Sequence, residues 1–190
     1  MIITIARKCG CNGDEIGRTL AKQYQIPLYD KQAMIEIAKE KGIFSRLPNF
    51  FSENSISSMQ YAIAEGEYET EVRKTPLKAL KEIISEPSFI VIGRCGNYVF
   101  KEQKNVCRIF LTGNMESRVH TIMEKHAISE KKAKELIEKT DSKRASFQSY
   151  YTGEIWGNAG NYDICLDISK LGVEGTVHII QEYIRSIEIV

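Results

Sequence analysis

No stretch of the 190-residue chain is apolar for long enough to cross a bilayer, so no transmembrane helix is expected. The opening apolar run is short and gives way at once to Arg7-Lys8, which is not the pattern of a signal peptide. Charge of one sign is lacking as well. Lys plus Arg number 26 against 25 Asp plus Glu, which leaves no global electrostatic case for nucleic acid or anionic membrane. Any phosphate binding must therefore be local. Cysteine is sparse and odd in number (Cys9, Cys11, Cys95, Cys107, Cys165), and several lie in apolar strand-like runs, as free thiols in a reducing compartment do. Cys9-Gly10-Cys11 lacks the two further ligands at short spacing that a zinc site needs, so no metal centre is expected. There is no internal repeat and no low-complexity tract. The expectation is a cytoplasmic globular protein, monomer or homodimer, with one domain and one core.

The feature that is present lies in the first thirty residues. Ile2 to Ala6 read as a strand, Arg7 to Gly13 as a glycine-containing loop, and a helix opens at Asp14 with Ile16, Leu20 and Tyr24 at helical spacing. Strand, loop and helix in that order bring backbone N–H groups and the positive end of a helix dipole to one point, where a phosphate can sit. The same spacing also suits a plain tight turn. Gly17-Arg18-Thr19 looks like the end of a phosphate-loop signature, but it falls inside the patterned helix. There Gly17 marks close packing instead. In the preferred register the usual loop lysine is missing and its place falls near Gly13, while Asp14 and Glu15 put carboxylates in the first turn.

Further along, Lys31 to Lys41 form a helix on Met34, Ile35, Ile37 and Ala38, ending at Gly42. Ile43 to Gly66 have weak periodicity and suit either a substrate-covering flap, with a short helix around 56–64, or a surface loop packed down by Phe50 and Phe51. Glu67 to Ser85 are helical, and Thr75-Pro76 predicts a break there, followed by a second helix on Leu77, Leu80, Ile83 and Ile84. Phe89 to Ile92 form a strand buried on both faces and stopped by Gly93. Val106 to Leu111 are a strand, and Asn114 caps a helix carrying Met115, Val119, Ile122 and Met123 on one side with Arg118 one turn in. A further helix starts after Ser129. Thr140 to Asn161 then mix basic residues with aromatics and glycines and suggest a mobile closing segment. Tyr162 to Asp167 return to strand, and Val173 to Ile187 form the last helix. Strands alternating with helices predict an α/β fold, a parallel sheet covered on both faces with its site at the carboxyl ends of the strands.

Taken together, Arg7-x-x-Gly10-x-x-Gly13-x-x-Ile16-Gly17-Arg18, Ile26-Pro-Leu-Tyr-Asp-Lys31, Val91-Ile-Gly-Arg-Cys95, Asp141-x-x-Arg144-Ala145 and Tyr162-Asp163 resemble the cytidylate kinase-like family of P-loop proteins. The resemblance runs nearly end to end and leaves only about 43–72 unmatched. It implies a P-loop NTPase-like three-layer sandwich with a five-stranded parallel sheet, a flap at about 43–72 and a lid at about 140–161. It implies transfer of the γ-phosphoryl of ATP, with Mg2+, to a nucleoside monophosphate (CMP or dCMP first) or a related small acceptor, by positioning and charge neutralisation. The alternative is a kinase-derived module that binds or senses nucleotide without turnover. By the same resemblance Arg7, Lys8, Gly10, Cys11, Asn12, Gly13 and Asp14 would hold the donor phosphates. Asp30 and Arg94 would face the acceptor, and Arg7, Arg118, Lys143 and Arg144 would close on the transferring group. The sequence departs from cytidylate kinases in lacking the loop lysine and in placing Cys95 where they have an acidic residue.

Overall fold

The computed structural model describes residues 1–52 and 69–187, and side chains other than those of 53–72 within that span. Five strands, β1 (Ile2–Arg7), β2 (Leu28–Tyr29), β3 (Phe89–Ile92), β4 (Val106–Thr112) and β5 (Ile164–Asp167), form one sheet in the order β2-β3-β1-β4-β5. Every pairing is parallel, so β1 lies in the centre with Ile5 opposite Ile92 on one side and Ile109 on the other. A central strand of a parallel sheet is covered on both faces. All six residues of β1 are buried accordingly.

Among the described residues the α-helices are α1 (Gly13–Tyr24), α2 (Lys31–Glu40), α3 (Pro48–Ser52), α4 (Glu69–Ile83), α5 (Gly96–Val99), α6 (Met115–His126), α7 (Glu130–Thr152) and α8 (Ile168–Ser186). Ile3 and Ile5 point to one face, where Ile16 and Leu20 of α1 and Val177 and Ile180 of α8 meet them. Gly17 permits this approach, because a Cβ there would lie 2.8 Å from Ile92 Cδ1. Ile2 and Val91 point to the other face, into a cluster rich in aromatics. In it Phe50 stacks on Phe147 at 5.5 Å between ring centroids, and Tyr151 closes edge-on to Phe50 at 5.1 Å. Phe50 and Phe51 are thus core residues, which accords with the packed-down reading of their segment. The expected helix around 56–64 lies outside the described residues.

Three local expectations change. The helix does not break at Pro76: α4 runs through it, and Leu77, Leu80 and Ile83 are buried in the aromatic cluster. That burial offsets the roughly 3 kcal/mol cost of an interior proline. The segment from Thr140 is not irregular either, since α7 is a single helix of 23 residues that ends only at Gly153, in the left-handed conformation. Its Phe147, Tyr150 and Tyr151 sit at helical spacing and are buried. Met115, finally, is exposed, and Arg118 takes an inward position beside Val119 and Ile122.

Candidate functional site

The loop after β1 forms the expected strand-loop-helix unit. Lys8 N–H continues the ladder to the Leu111 carbonyl at 2.9 Å, after which Gly10 (φ 82) and Asn12 (φ 45) turn the chain into α1. Gly10 is required as well as permitted, because a Cβ there would lie 2.6 Å from the Arg118 carbonyl oxygen. At the start of α1 the Glu15 and Ile16 N–H groups both bond the Asn12 carbonyl at 3.0 Å, which leaves the N–H groups of Gly13 and Asp14 without a carbonyl one turn back in the helix. Over that helix end lies the stem of Arg7, whose Cγ would be 2.9 Å from a Cβ on Gly13. Asp14, the carboxylate expected to repel phosphate, stands 3.8 Å from Arg7 Nη2 and 3.8 Å from Lys125 Nζ. Its charge is therefore shared between two cations.

The loop is held from behind by two distant helices. Arg118, only 4% exposed, donates from Nε to the Cys9 carbonyl at 2.7 Å and forms an ion pair with Asp141. Asp141 Oδ1 in turn accepts the Cys9 N–H at 2.7 Å. Both backbone polar groups of Cys9 are thus satisfied by side chains of α6 and α7. Arg144, one turn further along α7, donates to the Arg7 carbonyl at 2.9 Å.

Cys11 is buried within the loop, and burial pushes its thiol up to about 11; Cys107, in β4, is pushed up to about 12 for the same reason. Both lie above the ordinary 9.0, so an unfolded chain releases these protons first as pH rises. Stability from this source is complete below about pH 9 and is lost as pH rises through the folded values. Urea titrations should therefore give a lower unfolding free energy at about pH 10.5 than at pH 8. Replacing both cysteines by alanine should reduce that difference, and what remains comes from Cys165 and the tyrosines whose burial also raises them, such as Tyr151 and Tyr162.

In front of the loop a cavity of about 480 Å³ opens at the carboxyl ends of β1 and β3. Among the described residues six basic ones line it: Arg7, Arg18, Lys31, Arg94, Lys143 and Arg144. Among the described residues, Asp14 and Asp30 are its only lining carboxylates. Asp30 is also the N-cap of α2, where its Oδ1 accepts from Gln32 and Ala33 N–H at 3.0 Å each. Arg94 reaches the cavity because Gly93 N–H bonds the Ile5 carbonyl at 3.0 Å, which seats the end of β3 beside β1. It is 1% exposed, has a left-handed backbone (φ 55), and donates to the Phe51 carbonyl. It does not pair with Asp163, which is engaged by Arg108 at 2.5 Å.

Of the residues expected at the site, the structure gathers Arg7, Asp14, Asp30, Arg94, Lys143 and Arg144 around one cavity. Lys8, Gly10, Cys11, Asn12, Gly13 and Arg118 are not among its lining residues. Arg118 in particular is committed to Cys9 and Asp141. Sequence reasoning missed Arg18, Thr4, Asn97 and Gln148 as lining residues and Asp141 as the loop's anchor. For Asp141 the Asp-x-x-Arg spacing, which puts it one helical turn from Arg144, was the available signal. Among the described residues no helix is long and apolar enough to cross a membrane.

The profile of the cytidylate kinase-like family matches residues 2–170. No curated protein matches the chain. Among solved structures, an uncharacterized protein from Eubacterium ventriosum ATCC 27560 is similar at 28% identity, with a TM-score of 0.73 over 98% of this chain and 99% of that one. A gluconokinase from Sinorhizobium meliloti 1021 is similar at 9% identity, with a TM-score of 0.55 over 97% of this chain and 93% of that one. A shikimate kinase from Bacteroides thetaiotaomicron is similar at 14% identity, with a TM-score of 0.52 over 97% of this chain and 98% of that one. At these identities the two kinases establish the fold.

Proposed function

The chain belongs to the cytidylate kinase-like family, and we propose that it transfers the γ-phosphoryl of ATP to a small acceptor, with a nucleoside monophosphate as the first class to test and CMP or dCMP first within it. One observation carries this reading: six cationic side chains converge with two carboxylates on a cavity beside the N-terminus of α1. Such an excess of positive charge in a concave, partly buried space suits polyanionic ligands. Arg7 takes the part of the missing loop lysine. Its stem lies over Gly13, where the lysine would start, and its guanidinium faces the same space. Lys143 and Arg144 present charge to the transferring group from α7, and Arg94 and Asp30 lie toward the acceptor. No nucleophilic side chain is needed, because the work is positioning and charge neutralisation.

Magnesium fits this lining in the way it fits kinases generally. It takes one or two carboxylates and completes its shell with phosphate oxygens and water. Asp14 and Asp30 are the candidates, and among the described residues no group of three His, Cys, Asp or Glu could hold a metal alone. When bound, the ion would neutralise phosphate charge. A specific observation favours the second reading, a binding or sensing module. Asp141 already occupies the Cys9 N–H, so one donor of the loop is spent on the protein itself.

The deciding experiment is turnover and thermal shift of the whole chain with ATP and magnesium against each nucleoside monophosphate. Diphosphate formation with one of them establishes the kinase, stabilisation without product establishes the module, and no stabilisation overturns both. Arg7→Ala is expected to weaken ATP binding by about tenfold or more, the loss of a charge-assisted contact. Unchanged ATP affinity would remove Arg7 from the role of the lysine.

A further inference from the structure

Part of the cavity lining carries no charge. Thr4 (1% exposed) from the middle of β1, Asn97 (4%) from α5 and Gln148 (4%) from α7 are deeply buried, yet all three line the cavity. They are neighbours: a Cβ on Gly96 would lie 3.6 Å from Thr4 Cβ, and the two amides share one partner. Asn97 Nδ2 and Gln148 Nε2 both donate to Glu154 Oε2, at 3.5 and 3.1 Å. Glu154 is held by its own N–H to Thr152 Oγ1 at 3.1 Å and lies 4.0 Å from Lys101 Nζ.

This arrangement decides which way the amides face. A carboxylate only accepts hydrogen bonds, so the NH2 groups must turn toward Glu154, and the Asn97 and Gln148 carbonyl oxygens remain as acceptors for something else. Thr4 Oγ1, meanwhile, has no hydrogen-bond partner. A buried hydroxyl in that state is costly, and native chains keep few of them without a reason. Phe147 and Trp156, also lining residues, add flat apolar walls beside this polar group.

We propose that Asn97 and Gln148, oriented by Glu154, form with Thr4 the subsite that reads the acceptor, and that it takes a neutral group carrying N–H or O–H donors. The proposal rests on the phosphoryl-transfer reading and adds the acceptor's chemistry to it. Carbonyl oxygens facing a ligand repel phosphate and bare carbonyls alike, so an anionic part of the acceptor is directed to Arg94 and Arg144 and its neutral end to the amides. Glu154 touches no ligand in this scheme and acts as a positioning residue. The donors can come from an amino group on a heterocycle or from hydroxyls on a sugar, and paired ligands separate these sources.

Calorimetric titration of the full chain, with ATP and magnesium titrated separately, would compare cytidine with uridine monophosphate, which exchange a ring amino for a carbonyl, and ribose 5-phosphate with its 2-deoxy form. The donor-bearing member of one pair is expected to bind at least about tenfold tighter, and that pair names the source. Gln148→Met, an apolar replacement of similar length, should bring the ratio toward one with ATP affinity unchanged. Glu154→Gln should do the same, because an amide at that position no longer forces the NH2 groups inward, and a circular-dichroism melt of each variant confirms that it folds. Binding of ATP with no discrimination in either pair overturns the subsite and leaves the phosphoryl-transfer reading standing. Failure to bind ATP removes that reading and the subsite with it.

Discussion

Arg118→Ala is expected to destabilise the protein by about 3 kcal/mol, the low end of the cost of breaking a buried ion pair. The Arg118 side chain is 5% exposed and that of its partner Asp141 is 19% exposed, so solvent recovers only part of what the carboxylate loses. The Cys9 carbonyl loses its donor in the same change. For a chain of this size the melting temperature should fall by roughly 6–12 °C. Arg118→Lys should recover only part of the loss, because an ammonium cannot address a carbonyl and a carboxylate with one planar fork. A double-mutant cycle with Asp141→Asn isolates the pair, and coupling below about 0.5 kcal/mol would show that the two residues do not act together. Activity should fall alongside stability, since the same contacts hold the loop after β1.

Arg144→Ala should behave in the opposite way, with a large loss of rate and a small loss of stability. Its guanidinium is fixed to the Arg7 carbonyl at 2.9 Å while lining the cavity beside Lys143. A cation preset at that point is worth about 100- to 1000-fold in kcat when charge develops on a transferring phosphoryl. The hydrogen bond from this half-buried side chain to the Arg7 carbonyl contributes about 1 kcal/mol to folding. Steady-state kinetics together with a thermal melt test this. An unchanged kcat with a lowered melting temperature would make Arg144 a bracket for the end of β1 and nothing more. Arg144→Lys should not restore the full rate, because it loses the fork that reaches both the carbonyl and the cavity.

The contrast between these two arginines shows where the sequence was legible. Local periodicity was enough to find β1, the loop, α1 and the buried β3, because their hydrophobic patterns are short and uninterrupted. The inward face of α7 was harder. Phe147, Tyr150 and Tyr151 are helically spaced, but their partner Phe50 is nearly a hundred residues away in the chain, and lysines, serines and glycines surround them. Pro76 misled for a similar reason, since a local rule was overridden by burial that only the tertiary structure supplies. At the site, the family resemblance named Arg7, Arg94, Lys143 and Arg144, whereas it gave Arg18 and Lys31 no role. The division between Arg118, spent on the loop, and Arg144, facing the cavity, depends on a contact between Cys9 and Asp141 that spans 132 positions. The neutral lining joins β1, α5, α7 and the turn after it, and no window of sequence holds all four.

Trp156 is the only tryptophan in the chain. It lines the cavity and meets Phe110 edge-on at 5.4 Å between ring centroids. The protein's indole fluorescence is consequently a one-residue signal that originates at the cavity wall. Excitation at the red edge, where tyrosine does not absorb, therefore gives an emission band free of contributions from elsewhere. Its wavelength follows the polarity of that wall, and its quenching by a small neutral solute follows access to it. Occupancy can be followed in this way without a label, in the unmodified chain and on the timescale of rapid mixing.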